Sequence, residues 1–504
     1  MSWKRGQTKK LRDKEINRRT GVAAAGKRKR KRKRKRKLME LLRLQNLRSF
    51  AGGKDARVEN VRANGQRFVN IIGEEEAVIA NLVQRQPKND AKPTIEGQQA
   101  SGSASQQLLA TSELKAYVRA GPRAYNFFDP KETTAAIVTC GGLCPGLNNI
   151  ILHITKTLLE IYGAKKVLGI RGGFDGFYNQ DRPPVELSVS TVSGIQDTGG
   201  SFLGSSRGGF DLERISEAIL ALEVDMVFIC GGDGTHRAAM KLAENFRKRS
   251  LPVAVAGIPK TIDNDLGLID RSFGFETAVA EAVKAIKSAK TEASCAPNGV
   301  GIVKLMGRHS GFIAAHATLS SGDVDLVLIP ELMVDVEEGS ETNVIDHVLQ
   351  VVKNKGHAVV VVAEGAAEEL LLSRQSHETD ANGKQPKLPP VGIWFRDEVK
   401  KSGKERNMSL TVKYIDPSYM IRSVKANSSD SLYALMIAQN AVYGAMAGYT
   451  AFSTALCNNK VCYLPIKELV DSSPRGINPR GRTMERVFNV TQQPPAKPQV
   501  LRKE

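Results

Sequence analysis

The sequence predicts an α/β protein whose sheets are parallel and covered by helices on both faces. From residue 135 onward, short apolar runs alternate with segments that carry apolar residues at helical spacing, which is typical of consecutive strand–helix units. Turns rich in glycine and aspartate follow three of the apolar runs directly. With 504 residues, the chain is long enough for more than one compact unit.

The elements are expected in a regular order along the chain. Strands are predicted at residues 135–140, 167–170, 224–230, 253–258, 299–305, 326–330, 358–363 and 408–415. Helices are predicted at residues 149–162, 212–222, 236–246, 275–291, 341–355 and 430–447. The polar residues 370–390 are expected to form a loop, and the Pro- and Arg-rich residues 471–504 an irregular tail.

The basic character of the chain is confined to its N-terminal part. The net charge is +20, and residues 1–57 alone hold 23 Lys or Arg against 4 Asp or Glu. Eleven alternating Lys and Arg form the run Lys27–Lys37, which is expected to be a largely disordered arm because it repels itself. The run favours either contact with nucleic acid, an acidic surface or a nuclear-import receptor, or a non-specific polycation. Residues 58–115 are expected to be an extension and linker.

Composition also argues against several classes of protein. The six cysteines form no CxxC pair, which predicts reduced thiols rather than a disulfide framework or a zinc site. The chain lacks an apolar run of about 18 residues and an N-terminal apolar signal region. We therefore expect a cytoplasmic protein without membrane contact.

The turn Gly231–Thr235 follows the apolar run 224–230. Glycine allows the main chain to approach a phosphate closely, and Asp233 is placed to bind Mg²⁺, which prefers oxygen ligands. The alternative is a tight turn with a helix-capping aspartate.

The turn Lys260–Asp265 carries two carboxylates, Asp263 and Asp265, with Thr261 two residues earlier. In an extended segment residues i and i+2 face the same side, so these three side chains are expected to point into one cleft. One carboxylate would serve as a general base on a hydroxyl group and the other would organise a metal ion. The alternative is a cluster of Asx turns.

Further candidate ligands lie close to predicted strand ends, where ligands bind in open α/β sheets. Arg308 offers a bidentate fork for a phosphate group, whereas His309 beside it is interpreted as structural. The other candidates are Arg207, Glu364 and the segment Tyr419–Arg422.

Taken together, these motifs resemble the 6-phosphofructokinase family over residues 120–480. The resemblance rests on GGLCPGLN from Gly141, GGDGT from Gly231, PKTIDND from Pro259, Met306-Gly307-Arg308, Ala363-Glu364-Gly365 and Pro417–Arg422. The long N-terminal extension is similar to that of the plant and trypanosomatid branch. The resemblance implies two Rossmann-like three-layer α/β/α domains, an ATP-binding domain at 116–300 and a fructose 6-phosphate-binding domain at 301–470, with the chain crossing between them.

The resemblance implies Mg²⁺-dependent transfer of the ATP γ-phosphate to the 1-hydroxyl of fructose 6-phosphate, in a homotetramer. It implies that Asp263 is the general base with Thr261 beside the transferred group, and that Asp233 and Asp265 serve the metal. The implied ATP ligands are Gly141, Arg207, Gly208, Gly232, Asp233, Gly234 and Thr235. The implied sugar phosphate ligands are Thr261, Ile262, Asp263, Met306, Gly307, Arg308, Glu364, Lys413, Tyr419, Met420, Ile421 and Arg422.

Two positions bear on the phosphoryl donor. Gly234 is typical of ATP users, because an aspartate there would crowd and repel the nucleotide phosphates, whereas Lys260 is usual in diphosphate users. We expect ATP, with a diphosphate-dependent enzyme as the alternative. NAD and lipid kinases share GGDGT but not the other motifs, and a non-catalytic protein associated with nucleic acid is a remote alternative.

Overall fold

The computed structural model describes residues 45–47, 58–73, 76–79, 116–372 and 389–499. Its strands are β1 (Gln45–Asn46), β2 (Val58–Glu59), β3 (Ala77–Ile79), β4 (Ala116–Arg119), β5 (Tyr125–Asn126), β6 (Thr134–Thr139), β7 (Lys166–Ile170), β8 (Val185–Glu186), β9 (Met226–Gly231), β10 (Ala254–Pro259), β11 (Gly299–Leu305), β12 (Leu326–Leu328), β13 (His357–Ala363), β14 (Thr411–Ile415), β15 (Tyr449–Thr450), β16 (Phe452–Cys457) and β17 (Lys460–Pro465).

The helices largely occupy the segments between these strands. They are α1 (Leu147–Lys156, extended by a π-helical turn at Thr157–Tyr162), α2 (Leu212–Ala221), α3 (Asp233–Lys248), α4 (Phe275–Ser294), α5 (Phe312–Ser321), α6 (Val344–Lys355), α7 (Glu368–Leu372), α8 (Val391–Glu405), α9 (Ser418–Arg422), α10 (Ser428–Met446), α11 (Ile466–Asp471) and α12 (Arg482–Thr491). Short 3₁₀ turns occur at Pro130–Glu132, Phe174–Phe177 and Ile195–Asp197. Several of the α-helices begin with a side-chain cap. Before α6, for example, the Asn343 side chain accepts hydrogen bonds from the main-chain N–H groups of Ile345 and Asp346.

The larger sheet has nine strands in the order β3-β4-β17-β16-β10-β9-β6-β7-β8. The central pairs β16/β10, β10/β9, β9/β6 and β6/β7 are parallel, and the outer pairs are antiparallel. Because β6, β9 and β10 run in the same direction, their C-terminal ends meet at one edge: Thr139 lies opposite Cys230, and Gly231 opposite Pro259.

The smaller sheet has four parallel strands in the order β12-β13-β11-β14. The registers place Leu305 opposite Ala363 and Val303 opposite Ile415. Their C-terminal ends therefore also share one edge.

Alternate residues of the central strands enter different cores. Ile137 and Phe228 belong to one apolar cluster, which includes α1 and α10, whereas Val138 and Ile229 belong to another, which includes α2 and α3. The strands are thus buried on both faces, as the continuous apolar runs predict. The predicted α/β class with parallel sheets is confirmed.

Two sequence predictions are wrong in part. The sequence places residues 45–47 in the largely disordered arm, but Gln45 and Asn46 pair with β15 and Leu47 is fully buried. It predicts an irregular tail at residues 471–504, but α12 forms there because Met484 and Val487 lie three apart and pack into the core of the second sheet.

Other sequence predictions fall on residues that the structure does not describe. The run Lys27–Lys37, most of the linker up to residue 115 and the centre of the predicted loop 370–390 lie outside the described residues. The domain boundaries stay a prediction. Although they come late in the chain, β16 and β17 belong to the nine-stranded sheet, and β15 pairs with β1. Within the described part of the chain, no helix is both long and apolar enough to span a membrane.

Candidate functional site

Three loops leave the shared edge of the first sheet, and Lys260 connects them. Its ammonium group donates a 2.6 Å hydrogen bond to the carbonyl oxygen of Gly142, after β6. Its main-chain N–H donates to the carbonyl oxygen of Gly231, at the end of β9, over 2.9 Å. Lys260 itself follows β10 and is only 5% exposed. The structure thus brings together the loops that the sequence singled out separately.

The loop 204–209 also lies beside this edge. Gly141 donates its N–H to the carbonyl oxygen of Ser206 over 2.8 Å, and its own carbonyl oxygen accepts a 2.6 Å bond from Ser205 Oγ. Arg207 and Gly208 follow immediately and are exposed. Arg207 therefore lies close to Gly141 in space, although the two are far apart in the sequence, and it is exposed to solvent.

Asp233 begins α3, with Gly232 in the N-cap position. One carboxylate oxygen, Oδ2, accepts hydrogen bonds from Arg237 at 2.9 and 3.1 Å, while Oδ1 is buried without a partner. Gly234 is exposed, and no atom lies within 4 Å of the position that a Cβ would take there. Arg237 was missed by the sequence reasoning, although its position four residues after Asp233 on a helix is a signal for this pair.

The loop from Lys260 to Asp265 is a turn rather than an extended segment, so that expectation is wrong. Asn264 has φ of +57°, and Thr261 Oγ1 donates a 2.7 Å hydrogen bond to Asp265 Oδ1 across the turn. The same hydroxyl oxygen accepts a 3.2 Å bond from the N–H of Asp263. Asn tolerates the left-handed conformation better than most residues, and the side-chain bond takes the place of the expected i, i+2 alignment.

The carboxyl group of Asp263 is buried, and one of its oxygens is not used in the protein's own hydrogen bonds. Its Oδ1 is buried and has no hydrogen-bond partner. Burial raises the pKa of Asp263 well above its usual range; the negative charges of Asp265 and Glu364 raise it further, and the positive charges of Lys260 and Arg422 lower it. A carboxyl group with a raised pKa and an open oxygen is suited to accept a proton from a bound hydroxyl group.

The second sheet contributes the loop Met306–Arg308, which follows β11. Gly307 has φ of +125°, and a Cβ there would lie 2.3 Å from the carbonyl oxygen of Ser310, so only glycine fits this turn. Ser310 Oγ donates a 3.0 Å hydrogen bond to the carbonyl oxygen of Asp263. This contact joins the two sheets' loops at the candidate base.

Glu364 follows the neighbouring strand β13, and its N–H donates to the carbonyl oxygen of Leu305 over 2.9 Å. Its carboxylate lies 4.0 Å from the ammonium group of Lys304, which also pairs with Asp416 at 3.0 Å. Glu364 is therefore held at the same edge as Met306–Arg308, and its negative charge raises the pKa of Asp263.

The segment Tyr419–Arg422 divides into exposed and buried members. Tyr419 and Met420 are each 73% exposed, whereas the side chain of Ile421 is buried in the core of the second sheet, so only its main chain is available to a ligand. The guanidinium of Arg422 lies 4.9 Å from the centre of the Tyr419 ring, and its Nε is buried without a hydrogen-bond partner.

Lys413 is not brought to the edge where the other candidates gather. It lies within β14 opposite Gly301, four residues before the level of Leu305, which corresponds to about 13 Å along a strand. Its ammonium group pairs with Glu292 at 3.4 Å.

The donor set fits a magnesium ion. Mg²⁺ commonly takes one or two carboxylates together with water and substrate phosphates, and Asp233 Oδ1 is a buried carboxylate oxygen with no partner in the protein. Among the described residues no cluster of three or more His, Cys, Asp or Glu could hold a metal without such help.

Comparison with known proteins shows the family of the chain. The sequence model of the family described as "Phosphofructokinase" matches residues 134–456. ATP-dependent 6-phosphofructokinase 7 of Arabidopsis thaliana is 45% identical over 377 residues, which cover 75% of this chain and 76% of that protein. ATP-dependent 6-phosphofructokinase of Borreliella burgdorferi is 42% identical over 381 residues, covering 75% and 85%, and that of Trypanosoma brucei brucei 40% identical over 376, covering 74% and 75%.

Solved structures support the fold. The pyrophosphate-dependent phosphofructokinase of Marinobacter aquaeolei superposes with a TM-score of 0.58 at 21% identity, over 73% of this chain and 92% of that one. The phosphofructokinase of Pichia pastoris gives 0.56 at 21% identity, over 72% and 37%. The resemblance inferred from the motifs is confirmed, and the chain belongs to the phosphofructokinase family.

Proposed function

We propose that this chain is an ATP-dependent 6-phosphofructokinase that transfers the γ-phosphate of ATP to the 1-hydroxyl of fructose 6-phosphate. The observation that carries the proposal is that Asp263 Oδ1 is buried and has no hydrogen-bond partner in the protein. Hydrogen bonds from Lys260 connect the loop of Asp263 to the glycine-rich loops, and a hydrogen bond from Ser310 connects it to the loop Met306–Arg308. The candidate base therefore lies between the loops expected to hold the polyphosphate and those expected to hold the sugar phosphate.

The chemistry requires few groups. Phosphoryl transfer depends on alignment, on neutralisation of charge and on a group that accepts the hydroxyl proton. Asp263 Oδ1 accepts the proton of the 1-hydroxyl as its oxygen bonds to phosphorus. The N–H groups at the start of α3 and the ammonium of Lys260 place positive charge near the phosphates. Arg308 and Arg422 supply guanidinium groups toward the sugar phosphate.

Magnesium is proposed as the cofactor, with Asp233 as its principal ligand and Asp265 nearby. When bound, the ion neutralises phosphate charge during transfer. Arg237 holds Asp233 Oδ2 at 2.9 Å, which leaves Oδ1 facing away from this pair and available to the ion. The remaining ATP ligands are proposed to be Gly141, Arg207, Gly208, Gly232, Gly234 and Thr235.

Two positions favour ATP over diphosphate: Lys260, which has a structural role in this fold, and Gly234, which leaves space for the donor. Its ammonium group is bound to the Gly142 carbonyl and is almost fully buried, so the residue shared with diphosphate users serves here to connect two loops. Gly234 leaves open space in front of the first turn of α3. That open space accommodates a donor larger than diphosphate.

Comparison of the two donors tests the proposal. Purified full-length protein would be assayed with fructose 6-phosphate and Mg²⁺, with either ATP or diphosphate, by coupling product formation to aldolase and NADH oxidation. We expect turnover with ATP and at most a trace with diphosphate. Preferential use of diphosphate would favour the alternative enzyme, and no turnover with either donor would contradict the proposal.

A homotetramer in the cytoplasm is the proposed state of the enzyme. The 73% exposure of Tyr419 and Met420 beside the site is what we expect of a surface that a second subunit covers, and light scattering after size-exclusion chromatography would measure the assembly.

The run Lys27–Lys37 remains a predicted contact for nucleic acid or an acidic surface. Deletion of residues 1–40 is expected to preserve turnover and remove salt-sensitive binding to such polyanions.

A further inference from the structure

Arg475 lies beyond residues 134–456, the part of the chain that the family model matches, yet it contacts the candidate catalytic loop extensively. Its main-chain N–H donates to the carbonyl oxygen of Asp265 over 2.6 Å. Its guanidinium donates to the carbonyl oxygens of Asn264, Ile269 and Asp270 at 3.2, 2.7 and 3.3 Å. All these acceptors lie between Asn264 and Asp270, directly after Asp263.

The contact also reaches the residue that turns the loop. Asn264 adopts a left-handed conformation between the two carboxylates, and its Oδ1 accepts hydrogen bonds from Arg475 Nη2 at 3.3 Å and from the Ser272 N–H at 3.0 Å. The direction in which Asp263 leaves the loop depends on this turn. A planar guanidinium suits such a cage because its five N–H donors have a fixed geometry.

The same tail segment holds the loop from the second sheet. The N–H of Ile477 donates a 2.7 Å hydrogen bond to the carboxylate of Glu331, which is 2% exposed. That carboxylate also accepts the N–H of Gly311 at 2.9 and 3.1 Å. Gly311 follows Ser310, whose hydroxyl binds the main chain of Asp263. Residues 475–477 are therefore connected to both loops that meet at the candidate base.

We propose that Arg475 is a positioning residue for phosphoryl transfer, fixing the loop from Asn264 to Asp270 so that Asp263 keeps its place relative to the loop Met306–Arg308. The proposal rests on the proposed function only for its kinetic consequences. Arg475 acts through Asn264 and the neighbouring carbonyl groups, not by contact with the reacting atoms. Residues of the tail 471–504, which lie beyond the part of the chain that the family model matches, would thereby help to position the catalytic loop.

The test compares Arg475→Ala and Arg475→Lys with the control Arg482→Ala. Arg482 lies on the same tail, but its side chain is 80% exposed and pairs only with Glu485 at 2.8 Å among the described contacts. We expect Arg475→Ala to lose about 10²-fold in kcat, because small misplacement of a reacting group has costs of this order, with much smaller changes in both KM values. Arg475→Lys is expected to be intermediate, since an ammonium group cannot reproduce the fork, and Arg482→Ala to match the unmodified enzyme.

Chemical rescue separates positioning from a general loss of structure. Millimolar guanidinium chloride should restore part of the kcat of Arg475→Ala, whereas the same concentration of sodium chloride should not. Unchanged kcat in both Arg475 variants, or a loss confined to KM, would overturn the proposal.

Amide hydrogen exchange keeps the proposal testable independently of turnover. Residues 264–270 should exchange faster in Arg475→Ala and Arg475→Lys than in the unmodified chain, while Arg482→Ala should leave them unchanged. If the unmodified protein shows no kinase activity, the proposed function fails and this measurement still decides whether Arg475 holds the loop. Unaltered exchange at 264–270 would refute the inference. If Arg475→Ala does not fold, the Lys variant carries the test.

Discussion

Replacing Gly234 by aspartate should weaken ATP binding without destabilising the fold. Gly234 lies in the first turn of α3, next to Asp233, where phosphates are expected to bind. No protein atom lies within 4 Å of a Cβ added there, so the new side chain meets no steric obstacle in the unliganded protein. Any cost must therefore come from the ligand.

The magnitude follows from charge repulsion. A carboxylate about 5 Å from a phosphate of like charge is repelled by about 3 kcal/mol at an effective dielectric constant of about 20, and by less than 1 kcal/mol in bulk water. Because residue 234 is exposed, we expect a value between these limits, equivalent to roughly 5- to 150-fold in affinity for ATP. Stability should rise by a few tenths of a kcal/mol to about 1, since glycine is a poor helix former and an acidic residue favours a helix N-terminus.

Gly234→Asn provides the matched control, because it adds a side chain of the same shape without the charge. Initial rates measured over a range of MgATP concentrations would give KM for both variants, and thermal unfolding would give their stability. We expect a large rise in KM for Asp and a small one for Asn. Equal KM values in the two variants would refute the electrostatic reasoning, and a lower melting temperature for Asp would refute the claim of open space.

Three further outcomes are expected. Asp263→Asn should reduce turnover at least about 10²-fold, the usual contribution of a positioned base, while leaving the melting temperature equal or higher, because a buried, unpartnered charge is removed; near-normal turnover would exclude Asp263 as the base. Since the pKa of Asp263 is raised in the unliganded protein and only the ionised form accepts a proton, kcat/KM should fall as pH decreases with a midpoint above the usual aspartate value, and Glu364→Gln, which removes one of the charges that raise this pKa, should move the midpoint to lower pH; an unshifted or higher midpoint would count against the assignment. Iodoacetamide should label native protein rapidly at Cys295, the exposed thiol, and slowly at Cys140, Cys144, Cys230, Cys457 and Cys462, which are buried; fast labelling that persists in Cys295→Ser, measured by peptide mass, would contradict this.

The sequence predicted the strands well where local and tertiary preferences agree. The predicted strand at residues 299–305 coincides with β11, because its apolar residues are buried on both faces and turns bound it at each end. The meeting of the glycine-rich loops was predictable too, since neighbouring parallel strands present their C-terminal ends at one edge.

The failures are at places where distant residues decide the local structure. The turn at Asn264 is held by Arg475, 211 residues later, and no local pattern reveals that partner. The helix α12 was hidden by the proline and arginine content of residues 471–504 around it, although Met484 and Val487 have helical spacing. Lys413, which is assigned by resemblance alone, stays a prediction; the register of β14 places it away from the strand ends of this chain.

If Asp263 acts as the proposed base, the charges around it make substrate recognition and catalysis depend on the same atom. Without a ligand, Oδ1 lacks a hydrogen-bond donor and the carboxyl group lies near Asp265 and Glu364, which is an unfavourable environment for its ionised form. In the proposed reaction, a sugar hydroxyl donating to Oδ1 would supply the missing hydrogen bond, and a divalent cation held by Asp233 would favour the ionised state of Asp263. Both reactants would then be needed before the base is fully formed. The unfavourable environment would thus restrict proton transfer to the complete complex, and the proposed role of residues 475–477 is to maintain that environment by holding the loop.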